Sequence, residues 1–102
     1  MMSLAGRPIH RNGDAPNKAA PANAARVDFG AQVKYVRIRN THATRTLEVS
    51  FDNHNTFATI PAATTNEPHT GILEGHWFID HLYIQSTSGG TCSYEIIATQ
   101  MT

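Results

Sequence analysis

A chain of 102 residues leaves room for one small domain. Hydrophobic residues make up 40% of it and charged residues 16%; eight Lys and Arg balance eight Asp and Glu, so the formal net charge is zero with the six His neutral. That balance excludes the broad basic field of a nucleic-acid binder and leaves little charge repulsion to oppose association with other chains.

Residues 1–30 read as an extended N-terminal arm. Ala, Asn, Pro and Gly dominate, and Pro8, Pro16 and Pro21 break any helical or strand period. Such a stretch has too little apolar side chain to offset its chain entropy, so it is expected to order only against a partner. It is also mildly basic: over residues 1–32, Arg7, Arg11, Lys18 and Arg26 outweigh Asp14 and Asp28. No signal-peptide pattern is expected, because Arg7 and Pro8 arrive before an apolar run develops. No window reaches the roughly 18 apolar residues of a membrane helix.

Residues 31–102 read as the body, and its period is two. Val36 and Ile38 alternate with Tyr35, Arg37 and Arg39 in a strand over 33–40. Leu47, Val49 and Phe51 oppose Glu48 and Ser50 over 46–51, and Phe57–Ile60 is short, apolar and closed by Pro61. A brief edge strand is predicted at 71–73. In 78–86, Phe78, Asp80, Leu82 and Ile84 share a face opposite Ile79, His81, Tyr83 and Gln85. In 91–99, Cys92, Tyr94, Ile96 and Ala98 oppose Ser93, Glu95, Ile97 and Thr99. These are half-buried strands by pattern and composition. Turn residues separate them: Asn40–Thr44, Asp52-Asn53-His54-Asn55, the long 62–70 loop, and Ser88-Gly89-Gly90. The fold class is therefore all-β, a small antiparallel β-sandwich or barrel of jelly-roll or Ig-like kind carrying the N-terminal arm.

Signals for chemistry are weak. His10, His42, His54, His69, His76 and His81 form no HxH or HExxH pattern, so no metal or cofactor is expected. The lone cysteine, Cys92, excludes an intrachain disulfide, points to a reducing compartment, and reads as a small core residue without a basic neighbour. No GxSxG elbow or phosphate-cradling glycine loop occurs, and no catalytic residue is assigned. Lys34, Tyr35, Arg37 and Arg39 crowd one strand, as on faces that bind single-stranded nucleic acid. Pairing of that strand with Glu48 and Glu95 across the sheet is the simpler expectation. Trp77 reads as a cap on one end of the body or as an interface anchor.

The sequence also carries phrases of a known kind: Val36-Arg37-Ile38-Arg39-Asn40, Leu47-Glu48-Val49-Ser50-Phe51-Asp52, Gln85-Ser86, Ser88-Gly89-Gly90 and Tyr94-Glu95-Ile96-Ile97-Ala98. Over residues 33–99 the chain resembles small virion structural proteins of tailed bacteriophages, most of all capsid decoration (cement) proteins. The resemblance implies a non-enzymatic protein on the outer capsid surface, assembled in the host cytoplasm, that bridges neighbouring capsomers. Its implied partners are the major capsid protein and copies of itself in a homo-oligomer such as a trimer, with neither membrane nor nucleic acid. Leu4, Arg7, Ile9 and Arg11 are the expected contacts of the arm, and Tyr35 and Trp77 those of the body. The alternatives are a tail, neck or baseplate accessory protein, or a carbohydrate-binding sandwich using Trp77 and Tyr83.

Overall fold

The structure, a computed structural model, describes residues 8–17, 24–52, 57–62, 71–87 and 90–101. They are all-β. Seven strands follow in chain order: β1 (Pro8–Ala15), β2 (Ala25–Asn40), β3 (Leu47–Ser50), β4 (Ala58–Ile60), β5 (Ile72–Gly75), β6 (Ile79–Ser86) and β7 (Cys92–Gln100). They form one antiparallel sheet in the order β1-β7-β2-β6-β3-β4, with β5 added on β2. The period-two segments become strands because alternate apolar side chains face the core, most regularly in the later part of β2, in β6 and in β7, whereas Leu47, Glu48 and Val49 of β3 are all buried. Val36, Ile38, Leu82, Ile84, Ile96 and Ala98 are fully buried.

β2 is the axis of the architecture. Its first part, Ala25–Asp28, pairs with β6. Its later part pairs with β7 on one side and, through Val36–Arg39, with β5 on the other. The change of partner falls at a register shift between Asp28 and Val33. Gly30 sits inside that shift with φ +77°, a left-handed conformation that only glycine adopts at little cost. A residue with a β-carbon would carry strain here, although the space around Gly30 is open.

The arm expected over residues 1–30 needs correction where the structure describes it. Residues 25–30 begin β2, and Pro8–Ala15 is β1, laid antiparallel along β7 from Pro8 opposite Thr99 to Ala15 opposite Cys92. Residues 1–7, with Leu4 and Arg7, and residues 18–23 lie outside the described residues. The physical reason is an edge. Without β1, the outer side of β7 would present a row of unpaired N–H and C=O groups, and pairing satisfies them whatever the side chains are. β1 is accordingly exposed along most of its length, while Ala15 is fully buried and Ile9 packs against the core. Beyond β1 the chain stays attached: the Ser86 amide donates to the Pro16 carbonyl at 2.7 Å, and Asn17 bridges Ser86 in parallel.

Two other expectations shift. Glu48, expected opposite the core with Ser50, is only 7% exposed; it lies between β4 and β6, and Gln85 Nε2 donates to its Oε1 at 2.8 Å. Phe78, expected to share the face of Leu82 and Ile84, lies just before β6 and stands in solvent. The Asn53–Asn55 turn, the 63–70 stretch and Ser88-Gly89 fall outside the described residues.

Buried polarity is matched. Among the described residues no buried side-chain nitrogen or oxygen lacks a hydrogen-bond partner. Asn40, at the end of β2, is the densest node: its Nδ2 donates to the carbonyls of Arg45 (2.7 Å) and Ile60 (2.9 Å), and its Oδ1 accepts from the His42 amide (2.9 Å). The Cys92 thiol lies 3.4 Å from the same oxygen. One side chain thus ties β2, the following turn, β4 and β7 together.

Candidate binding surface

The sequence offers aromatic residues around the β3–β4 connection and just before β6, and the fold brings them to one place. Phe51 leaves β3, Phe57 enters β4 with its amide donating to the Val49 carbonyl at 2.8 Å, and Trp77 precedes β6. The ring centroids of Phe51 and Phe57 are 4.5 Å apart; Trp77 stands 5.5 Å from Phe51 and 5.3 Å from Phe57, edge-on to both. These are favourable tilted and edge-to-face geometries. Gly75 lies under the indole, so close that any β-carbon would overlap the ring. Phe51 and Trp77 pack against the core, but Phe57 is 47% exposed. The cluster borders β4, the last strand in the order, whose outer side pairs with no described strand.

Beside this cluster a cleft of about 470 Å³ opens where β2 bends. Asp28, Gly30, Ala31 and Gln32 form one wall, Phe78, Ile79, Asp80 and His81 the other, and Phe51 reaches in from the aromatic cluster. Phe78 is the most exposed large apolar residue described, at 62%. Charges at the rim are locally matched. Arg26 Nε donates to both oxygens of Asp28 at 3.1 Å, and His81 Nδ1 donates to Asp80 Oδ1 at 2.6 Å. The hydrogen bond from His81 holds the Asp80 carboxyl below its ordinary value, and Asp28 raises the Arg26 guanidinium further.

The expected site residues are dispersed. Ile9 is half-buried and packs against the core. Arg11 is turned to its own chain: its guanidinium donates to the carbonyls of Asp28 (3.0 Å) and Phe29 (3.4 Å), capping backbone acceptors of β2. Tyr35 is half-buried on another face, where its hydroxyl donates to Glu74 and its ring stands 5.4 Å from His76. That bond to Glu74 pushes the Tyr35 phenol up. The basic strand is largely internally paired: Arg39 reaches Glu95 at 3.9 Å, His10 joins the same carboxylate at 3.1 Å, and Arg37 lies opposite Glu74 in the ladder. Glu95 pairs as expected, and Glu48 accepts a hydrogen bond from Gln85.

Trp77 packs against the core beside Phe51, and the exposed rings near it are Phe57 and Phe78. Sequence reading misses both: alternation puts Phe78 on the face of Leu82 and Ile84, and Phe57 opens a short apolar strand with nothing to mark its exposure. Two aromatic pairs, Phe51 and Phe57 about the β3–β4 connection and Trp77-Phe78 just before β6, were the available signal. For the histidines, His42 Nδ1 accepts from the amides of Thr44 and Arg45 at 3.0 Å each, a turn role. Among the described residues no group of three or more His, Cys, Asp or Glu stands close enough to hold a metal ion. Burial pushes the Cys92 thiol up, away from the reactive thiolate form.

Comparison with protein-family models, curated proteins and solved structures found no match to this chain.

Proposed function

We propose that this protein is a non-enzymatic virion structural protein that decorates a phage capsid and stabilises it by bridging neighbouring capsomers. The body is read as a β-sandwich, with β1-β7-β2-β5 in one layer, β2-β6-β3-β4 in the other, and β2 passing between them. The observation that carries the reading is the aromatic cluster at the β4 edge, a rigid Phe51–Trp77 base holding the half-exposed ring of Phe57. Aromatic side chains held rigid on a packed base are the usual anchors of protein interfaces. The resemblance of residues 33–99 to decoration proteins supplies the partner, the major capsid protein.

The mechanism is thermodynamic linkage. A protein that binds only the assembled, expanded shell adds its binding free energy to that state. Several copies on one lattice, or an oligomer of this chain, gain further from effective concentration. Because Ile9 and Arg11 engage their own chain, the bridging contacts fall to the body surface.

The test uses expanded shells of its own phage, purified from particles assembled without this chain. Wild-type protein is expected to bind them saturably and raise their melting temperature. Phe57→Ala, at a half-exposed position, is expected to keep its circular-dichroism spectrum and thermal midpoint near wild type while losing about tenfold in shell affinity, or roughly 1.4 kcal/mol. Wild-type protein that fails to bind shells overturns the reading. A Phe57→Ala variant that binds as wild type does removes the aromatic edge from it.

A further inference from the structure

The cleft at the β2 bend has a chemistry distinct from the aromatic edge. Its volume of about 470 Å³ lies within the range of small-molecule sites, roughly 300–1,000 Å³. One side offers a flat apolar ring, Phe78, held in solvent between two residues that pack inward, Trp77 and Ile79. The facing wall offers the carboxylate of Asp28 and the amide of Gln32, and the Asp80–His81 pair stands next to Phe78 on its own side. Gly30 makes the bend without adding a side chain above it.

Charge and polarity decide the ligand class. An anion would meet two carboxylates. A purely apolar ligand would strip water from those carboxylates without replacing the hydrogen bonds. A cation finds each carboxylate already engaged, Asp28 by Arg26 and Asp80 by His81. A neutral polyhydroxylated ring fits all the groups at once. Its C–H face covers Phe78, and its hydroxyls donate to carboxylate oxygens that Arg26 and His81 hold in fixed orientation. We propose that this cleft is a carbohydrate-binding site, taking one neutral sugar ring with Phe78 beneath it and Asp28 and Asp80 at its hydroxyl edge. The ring concerned is Phe78; Trp77 is occupied by Phe51 and Phe57, and Tyr83 stands edge-on to His81 at 5.4 Å. The site is shallow and has one stacking face, so affinities are expected in the millimolar range.

The experiment is a nitrogen-15 amide NMR titration of the isolated protein with methyl glucoside, methyl galactoside, methyl mannoside and N-acetylglucosamine. Arginine amide and sodium acetate at matched ionic strength provide the cationic and anionic comparisons. At least one sugar is expected to give saturable shifts confined to amides 28–32 and 78–81. Phe78→Ala is expected to weaken that sugar about tenfold or more, Asp80→Ala similarly, and Phe78→Tyr to retain it. Phe78 is exposed, so its variants keep the fold, which an unchanged amide spectrum elsewhere verifies. The proposal is overturned if none of the four sugars gives localised saturation, if arginine amide or acetate binds the cleft more tightly than every sugar, or if Phe78→Ala binds as wild type does. The samples contain no shells, so failure here is separate from failure of capsid docking.

Discussion

Deleting residues 2–15 is expected to remove much of the protein's stability and to turn the buried Cys92 thiol reactive. The deletion takes the eight-residue β1 ladder from β7, opens the cover over Cys92 at Ala15, and removes the packing of Ile9. Burying one large aliphatic side chain contributes roughly 1.5–3 kcal/mol. With the lost ladder the total comes to about 4 kcal/mol, a large share of the roughly 5–15 kcal/mol that holds a small domain. In the intact protein Cys92 is fully buried and its pKa is pushed up by burial, so thiol reagents reach it only through opening. Since each 1.4 kcal/mol is a factor of ten, the truncated chain is expected to label about a thousandfold faster. Urea denaturation and thiol-labelling kinetics on the two proteins read both effects. A free arm over residues 1–30 predicts the opposite, with midpoint and labelling rate unchanged.

Asn40→Ala is expected to be the most destabilising single polar substitution in the described structure, by about 3 kcal/mol or more. It leaves the carbonyls of Arg45 and Ile60 and the amide of His42 without the partner they share, at a position only 2% exposed. A buried polar group left unpaired costs about 1–3 kcal/mol, and water entering the gap recovers part of that. Arg39→Ala is the contrast. Its ion pair with Glu95 is long, at 3.9 Å, and solvated, so the loss is expected within about 1 kcal/mol. Equilibrium unfolding of the two variants separates a turn held by one amide from a surface held by many weak pairs. Equal losses would contradict that account.

The later part of β2, β6 and β7 were legible because their buried faces alternate, whereas Ala25–Gly30 of β2 falls in the stretch expected to be arm. Val36 and Ile38, Leu82 and Ile84, and Ile96 and Ala98 each mark one face without reference to the rest of the fold. β1 was not legible, for a physical reason. Pro8, Asn12, Gly13 and Asp14 have poor strand preference, and nothing in residues 8–15 alternates apolar with polar. What makes that segment a strand is the open edge of β7, about eighty residues further along the chain. Arg11 shows the same limit: as a sequence feature it is a spare positive charge, and in the fold it caps two carbonyls of β2. The candidate surface was half legible. Trp77 was recognisable as a cap or anchor, but the exposure of Phe57 and Phe78 depends on where β4 and β6 begin. The cleft depends on the β2 bend at Gly30 meeting the start of β6, a convergence of distant segments that local pattern does not encode.

The position of β1 also decides how the protein meets its surroundings. A free arm would tie the chain to neighbours by wrapping them, as the expectation from residues 1–30 required. A docked β1 leaves the body's surfaces to carry the proposed contacts, at the aromatic edge of β4 and the cleft at the β2 bend.

The most direct test is therefore an NMR measurement of contacts between β1 and β7 in protein shown by sedimentation to be monomeric. The register predicts close backbone approaches of His10 to Ile97, Arg11 to Ile96 and Asn12 to Glu95. They should appear within a single labelled chain and vanish from isotope-filtered spectra of a mixed labelled and unlabelled sample. Absence of those contacts from the monomer, or their appearance only between chains, would contradict the account.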